Sequence, residues 1–333
     1  MVSTLPISGL ATRLAAPARH LATRLSGLKR TDGESEPAGV PAAPAAGATP
    51  PQETGLSLDG KIHVPVLDEP QEAALWQAAV MVHAEMARAG RWSELLEVLR
   101  KADQDRTPAP GGRRLACIIS RGARLDVTEA LAAKDWSAAE AAMDRLADAL
   151  SAFRDHYPAA HLLAQAHLDF GWARRNADNA NSPSREVWQF FLRQTELAEE
   201  ALDRFDPLEE TSAILAASRY YLARGIEDGD EFFRDWYEDW SDLDPMNPDP
   251  HATHAVLLMP KWFGSLASFD DEARAAMRRT AACSGATAYA VFYMAAHDQL
   301  NAYPPGMELP LYLTGLMDYY HGTECQYRAN IAA

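Results

Sequence analysis

From about Asp68 to the C-terminus the apolar residues of this chain recur at helical spacing, and no run of alternating β-branched residues interrupts them. A chain with that pattern buries its apolar stripes by laying helix on helix. Ala74, Leu75, Ala78, Val82 and Met86 form the first stripe. Gly90 stops it, and Ser93 is placed to cap the next helix, which carries Leu95, Leu96, Val98 and Leu99. After a loop at 107–112, further helices are expected over 113–134, 137–156, 159–175, 184–205, 208–225, 229–243, 249–259, 268–284, 286–299 and 307–321. The separators include Tyr157-Pro158, Ser182-Pro183, Asp206-Pro207, Asp244-Pro245 and Asn247-Pro248, all of which disfavour continued helix.

One internal echo organises these helices. Arg91-Trp92-Ser93 and Asp135-Trp136-Ser137 each follow an Ala-rich helix, and each supplies a Ser able to cap the helix that comes next. The two Trp are 44 residues apart, a helical-repeat spacing. In this rhythm the segment 68–260 resembles the tetratricopeptide-like superfamily in degenerate form. The resemblance implies an all-α fold of stacked antiparallel helical hairpins, an α-solenoid. Met259-Pro260-Lys261-Trp262-Phe263-Gly264-Ser265 is similar to a Pro-Arg-Trp-Gly-Gly-Ser element of a bacterial helical domain family of unknown function. Lys261 stands for the Arg and Phe263 for the first Gly. That likeness implies a fold and a place in it, not a chemistry, and it opens a C-terminal helical part at 261–333.

The first 67 residues are of another kind. Residues 1–31 hold five basic side chains (Arg13, Arg19, Arg24, Lys29 and Arg30) and no acid. Leu-Ala-Thr-Arg-Leu occurs at 10–14 and again at 21–25, so Leu10, Leu14, Leu21, Leu25 and Leu28 fall on one helical stripe, broken by Pro17. A basic amphipathic segment of this kind makes weak contact with anionic membranes or acts as a transit peptide. An unstructured tail is the alternative. Residues 32–67, rich in Pro, Ala and Gly, read as a linker. Binding of a 1–31 peptide to anionic vesicles separates the two readings of the leader.

Net charge is −16 overall, and −21 once the five basic leader residues are set aside. So acidic a body repels phosphate backbones, which argues against nucleic acid and for a basic protein or peptide partner. Cys117, Cys283 and Cys325 are scattered and odd in number, so buried free thiols in a reducing compartment are expected. No apolar run suits a signal peptide or membrane span, which places the chain in the cytoplasm.

Catalytic signatures are absent: no phosphate loop, no Gly-x-Ser-x-Gly and no His-Glu-x-x-His. No catalytic residue, cofactor or metal is therefore assigned. Six residues form a candidate ligand or partner surface. His251 and His254 share a helix face at i, i+3, though without the Glu and i+4 spacing of a zinc helix. Trp262 is a bulky wall beside the permissive Gly264, with Ser265 able to cap the following helix. Tyr289, Tyr293 and His297 stand at i, i+4, i+8 and form a hydrogen-bonding stripe. Packing stripes are the alternative for each. Phe232, Phe233, Trp236, Tyr237 and Trp240 form an aromatic ladder among acids, which reads as a surface for a basic peptide or, alternatively, as a buried packing face. The expectation is an interaction scaffold rather than an enzyme. A small-molecule or catalytic pocket near Trp262, Tyr289, Tyr293 and His297 is the alternative.

Overall fold

A computed structural model describes residues 55–58, 62–65, 71–177, 184–226 and 228–332; the basic leader at 1–31 lies outside them. Among the described residues the chain forms one two-stranded hairpin and fourteen α-helices. The hairpin corrects the expectation of a featureless linker. β1 (Gly55–Leu58) pairs antiparallel with β2 (Ile62–Pro65), Leu58 opposite Ile62. Leu56, Leu58, Ile62 and Val64 alternate on either side of an Asp-Gly pair, a strong hairpin signal in sequence.

The helices are α1 (Gln71–Arg88), α2 (Trp92–Gln104), α3 (Leu115–Ala123), α4 (Leu125–Ala133), α5 (Trp136–Leu150), α6 (Tyr157–Ala177), α7 (Arg185–Leu202) and α8 (Ala213–Leu222). They continue as α9 (Gly229–Leu243), α10 (Asp249–Leu257), α11 (Phe269–Ser284), α12 (Thr287–Leu300), α13 (Leu309–His321) and α14 (Gln326–Ala332). The helix expected over 113–134 breaks at Arg124, whose backbone leaves helical geometry at φ −106°, ψ 13°. The echoed Trp92 and Trp136 both open helices, but the serines after them do not cap. Arg91 precedes α2 without a capping side-chain bond, and α5 is capped by Asp135, which accepts from the Ala138 amide at 3.0 Å. Ser265 does not cap α11 either; its Oγ accepts from the Ser268 amide, and α11 begins at Phe269.

The buried face of α1 is not the expected one. Trp76, Val80 and Ala84 point inward, whereas Leu75 and Val82 are more than half exposed. The reason is the crossing with α3. A Cβ on Gly122 would lie 2.6 Å from the Val80 carbonyl oxygen, so glycine permits a backbone approach that selects this face.

Two large apolar clusters make the core. One joins α2 to α8 through Leu95, Leu99, Ile119, Leu150 and Leu162. The other joins α8 to α13 through Tyr220, Phe233, Phe269, Phe292 and Tyr293. Helix α8 belongs to both: Ile214, Leu215 and Leu222 face the first, Ala216, Tyr220 and Ala223 the second. A helix with apolar residues on two opposed faces packs in the interior. Its N-terminus is held by Asp103 at the end of α2, which accepts from Ser212 Oγ at 2.6 Å, Tyr157 OH at 3.0 Å and the Ile214 amide at 3.1 Å.

The last helix, absent from the expected set, packs on the first. Tyr327 meets Trp76 edge to face at 4.6 Å, and the Gln326 amide donates to Glu72 Oε1. Repeat arrays limit contacts to neighbouring units; here the chain returns to its start, and residues from both halves enclose an interior space.

The Asp103 network yields a direct test. Asp103→Ala strands three donors and is expected to destabilise by about 3–5 kcal/mol, against about 1 kcal/mol for Tyr157→Phe, in urea unfolding.

Candidate functional site

Helices α3 and α6 present polar stripes to that interior space. On α3 the stripe is Cys117, Ser120, Arg121 and Arg124, at i, i+3, i+4, i+7; on α6 it is His161, Gln165 and Asp169, at i, i+4, i+8. Together with Tyr221 on α8 and Asp249 at the start of α10, they line a cavity of about 540 Å³. Apolar side chains such as Leu131, Ile214 and Ala217 fill in between them. A volume of that size suits a small metabolite.

Most of the charges around it are committed. Arg114 grips Asp244 through both carboxylate oxygens, Nε to Oδ2 at 2.6 Å and Nη2 to Oδ1 at 2.5 Å. Arg124 pairs with Asp169 through Nη1. Arg106 donates to the carbonyls of Leu243 at 2.8 Å and Thr211 at 2.9 Å, tying the end of α2 to the second half of the chain. Burial pushes the Asp103 carboxyl above its ordinary range, outweighing the donors it accepts from.

Ser120 and His161 have the contacts of a nucleophile and base, but not the chemistry. Ser218 Oγ donates to the Ile214 carbonyl at 2.8 Å, so it accepts from His161 Nδ1, also at 2.8 Å, and from Gln165 Nε2 at 3.0 Å. The other imidazole nitrogen, Nε2, then accepts the Ser120 hydroxyl at 2.8 Å. Desolvation lowers the His161 pKa to about 3, far below what a general base needs near neutrality. The chain from Ser120 to Ser218 is a strut tying α3, α6 and α8 together.

Three groups stay uncommitted. Arg121 makes no hydrogen bond or ion pair among the described residues, and burial, then the charges of Arg113 and Arg124, push its pKa down. Asp249 has no side-chain hydrogen bond among them, and burial raises its pKa. Cys117 is open to solvent, not buried as expected, but it faces the cavity, where desolvation pushes its thiol up to about 12.

The six residues singled out from sequence sit elsewhere, and none lines this cavity. His251 and His254 are 1% and 2% exposed. Each ring bonds a buried tyrosine through Nδ1 at 2.8 Å, His251 to Tyr237 and His254 to Tyr220. His254 also stacks on Tyr237 with centroids 3.9 Å apart. Tyr289 and Tyr293 are fully buried, and both hydroxyls donate to Asp270 Oδ1, at 2.7 and 2.8 Å. Burial removes these four from any surface. His297 is exposed beside Tyr303, and Trp262 is half-buried against Trp172. The aromatic ladder of α9 turns Phe233, Tyr237 and Trp240 inward and leaves Phe232 outside. Among the described residues no group of three or more His, Cys, Asp or Glu is placed to hold a metal. Nor is any helix long and apolar enough to cross a membrane.

The cavity residues left a trace in the sequence. Gln165 and Asp169 interrupt a helix otherwise rich in Ala and Leu, and Arg121 and Arg124 follow Ile118-Ile119. Polar stripes on helices this apolar signal an interior face.

The buried histidines make stability pH-dependent. Desolvation holds His161 and His251 at about 3, and His254 well below its ordinary value. An unfolded histidine titrates near about 6.5. Below that pH the unfolded chain takes up protons that the folded chain refuses, so stability is complete above it and falls as pH drops. Urea unfolding should show a loss approaching about 4 kcal/mol per pH unit between about pH 6 and 5, with His161→Gln removing about a third of the slope.

No protein-family profile, curated protein or solved structure matches this chain.

Proposed function

We propose that this chain is a small-molecule-binding protein whose ligand occupies the central cavity. The observation that carries the reading is an uncommitted guanidinium, Arg121, on the wall of a 540 Å³ space whose other arginines are largely engaged. A cation free of an intramolecular partner on a cavity wall suits a carboxylate. Asp249, which has no hydrogen-bond donor of its own, suits an ammonium or hydroxyl on the same ligand. The class is then a small carboxylic acid carrying a second polar group, such as an amino or hydroxy acid. The weakness of His161 as a base favours binding over turnover.

A panel of amino and hydroxy acids in thermal denaturation tests this. At least one member should raise Tm by about 2–4 °C at about five times its Kd. Arg121→Met should weaken that ligand about tenfold or more, the worth of one charge-assisted hydrogen bond. Cys117→Phe, which projects a ring into the open space, should abolish binding; unchanged binding in that variant would place the ligand elsewhere and end the proposal.

A second reading keeps the tetratricopeptide-like scaffold for residues 68–260. It is supported by Leu75 and Val82, one heptad apart and 53% and 54% exposed on the outer face of α1. The acidic body would favour a basic partner there. Paired Leu75→Glu and Val82→Glu changes should then abolish partner capture while altering stability by no more than about 0.5 kcal/mol.

A further inference from the structure

Buried polar atoms almost always find partners, so clustered exceptions carry information. Among the described residues eight buried side-chain nitrogen or oxygen atoms lack a hydrogen-bond partner, and six of them belong to Arg175, Asn176, Arg224 and Trp262. These are Arg175 Nε, both amide atoms of Asn176, Arg224 Nε and Nη2, and Trp262 Nε1.

Arg224 is the centre of the group. It is 7% exposed and sits against two indoles, its guanidinium carbon 4.0 Å from the Trp172 ring centre and 4.7 Å from that of Trp262. The two indoles meet edge to face at 6.2 Å. Arg175 lies against the same Trp172 at 4.9 Å. Lys261 stands at the surface next to Trp262 in sequence and donates to Gln299 Oε1 at 3.2 Å. Aromatic faces stabilise these cations in part, but they supply no acceptor to the unpaired N–H groups.

The electrostatics is one-sided. Desolvation lowers the pKa of all three cations. Arg224 is held at about 9, with Arg175 adding to the depression, and Lys261 is lowered further by both arginines. Among the described residues no carboxylate offsets them. In a chain with 47 acidic and 31 basic residues, three neighbouring cations with no acid beside them among the described residues are a marked exception. The buried charge is costly unless an anion is paired with it.

We infer that Arg224, Arg175, Lys261 and the Trp262 indole N–H form a binding site for a phosphate group. A carboxylate has two acceptor oxygens and one charge. A phosphate monoester offers three oxygens and close to two charges, which matches an Arg edge, an indole N–H and a lysine together. Lys261 stands at the exposed side of the site, on the loop from Pro260 to Ser265 that also carries Trp262. That loop is pinned at its far side, where a Cβ on Gly264 would lie 2.2 Å from the Leu258 carbonyl oxygen. None of these four residues lines the central cavity, so the site stands apart from the function proposed above.

The test uses the full chain at constant ionic strength, with inorganic phosphate, glycerol phosphate, acetate and chloride in parallel. Phosphate should raise Tm by about 2–4 °C over chloride at about five times its Kd. It should also change tryptophan fluorescence, because two indoles wall the site. Acetate should do neither. A stronger response to glycerol phosphate than to inorganic phosphate assigns the group to an organic ester, and the reverse assigns it to the free ion. Lys261→Met, a surface change that spares the fold, should weaken phosphate about tenfold. Arg224→Met keeps the apolar fill between the indoles and should abolish the response. If that variant does not fold, Trp262→Phe, which removes the indole donor but keeps an aromatic ring, takes its place. Arg121→Met should leave the phosphate response intact. Equal Tm in phosphate and chloride, an acetate effect as large as that of phosphate, or undiminished phosphate binding in Lys261→Met would each overturn the inference.

Discussion

The carboxylate of Asp103 is the interaction on which the rest of this structure depends. It sits at the end of α2 and collects donors from the start of α6 and the start of α8. Helix α8 is the element shared by both apolar clusters, so an error in its placement would propagate into each of them. A helix with apolar residues facing both clusters has no single apolar face to orient it. A buried acid at its N-terminus supplies the direction that hydrophobic burial, which is non-directional, leaves open. Arg106, one turn on, extends the same tie to the carbonyls of Thr211 and Leu243.

Around that anchor the charges of the core and of the cavity wall are treated in two ways. Arg114 with Asp244 and Arg124 with Asp169 are paired, and they brace helices distant in sequence. Arg121 and Arg224 are not paired within the described residues. One faces an open cavity and the other is packed between indoles. Paired buried charges contribute mainly to geometry, because their desolvation offsets much of their attraction. Unpaired ones cost stability that a ligand can return. Binding chemistry is therefore sought at the unpaired cations, not at the histidines and tyrosines that attract notice in the sequence.

Those histidines and tyrosines show why local pattern misleads about sites. His251, His254, Tyr289 and Tyr293 have side chains suited to ligands, and their helical spacing is as expected. Each instead satisfies a partner within the core: Tyr237, Tyr220 and Asp270 are 14 to 34 residues away from the groups they bond. Arg121 shows the converse. A charged residue recurring on a helix normally marks a solvated face, and nothing in the local spacing reveals that the solvent on that face is enclosed.

The sequence by itself determined the helices, the breakers that separate most of them and the all-α class, because periodicity and turn chemistry act over a few residues. It also carried, unread, the alternation that makes the 55–65 hairpin and the polar stripe of α6. Tertiary structure alone decided which face of α1 is buried, the break at Arg124 and the return of α14 onto Trp76. It also decided which charges end without partners. Those outcomes depend on close approaches between residues far apart in the chain, such as Gly122 against Val80, and the spacing within one helix does not encode them.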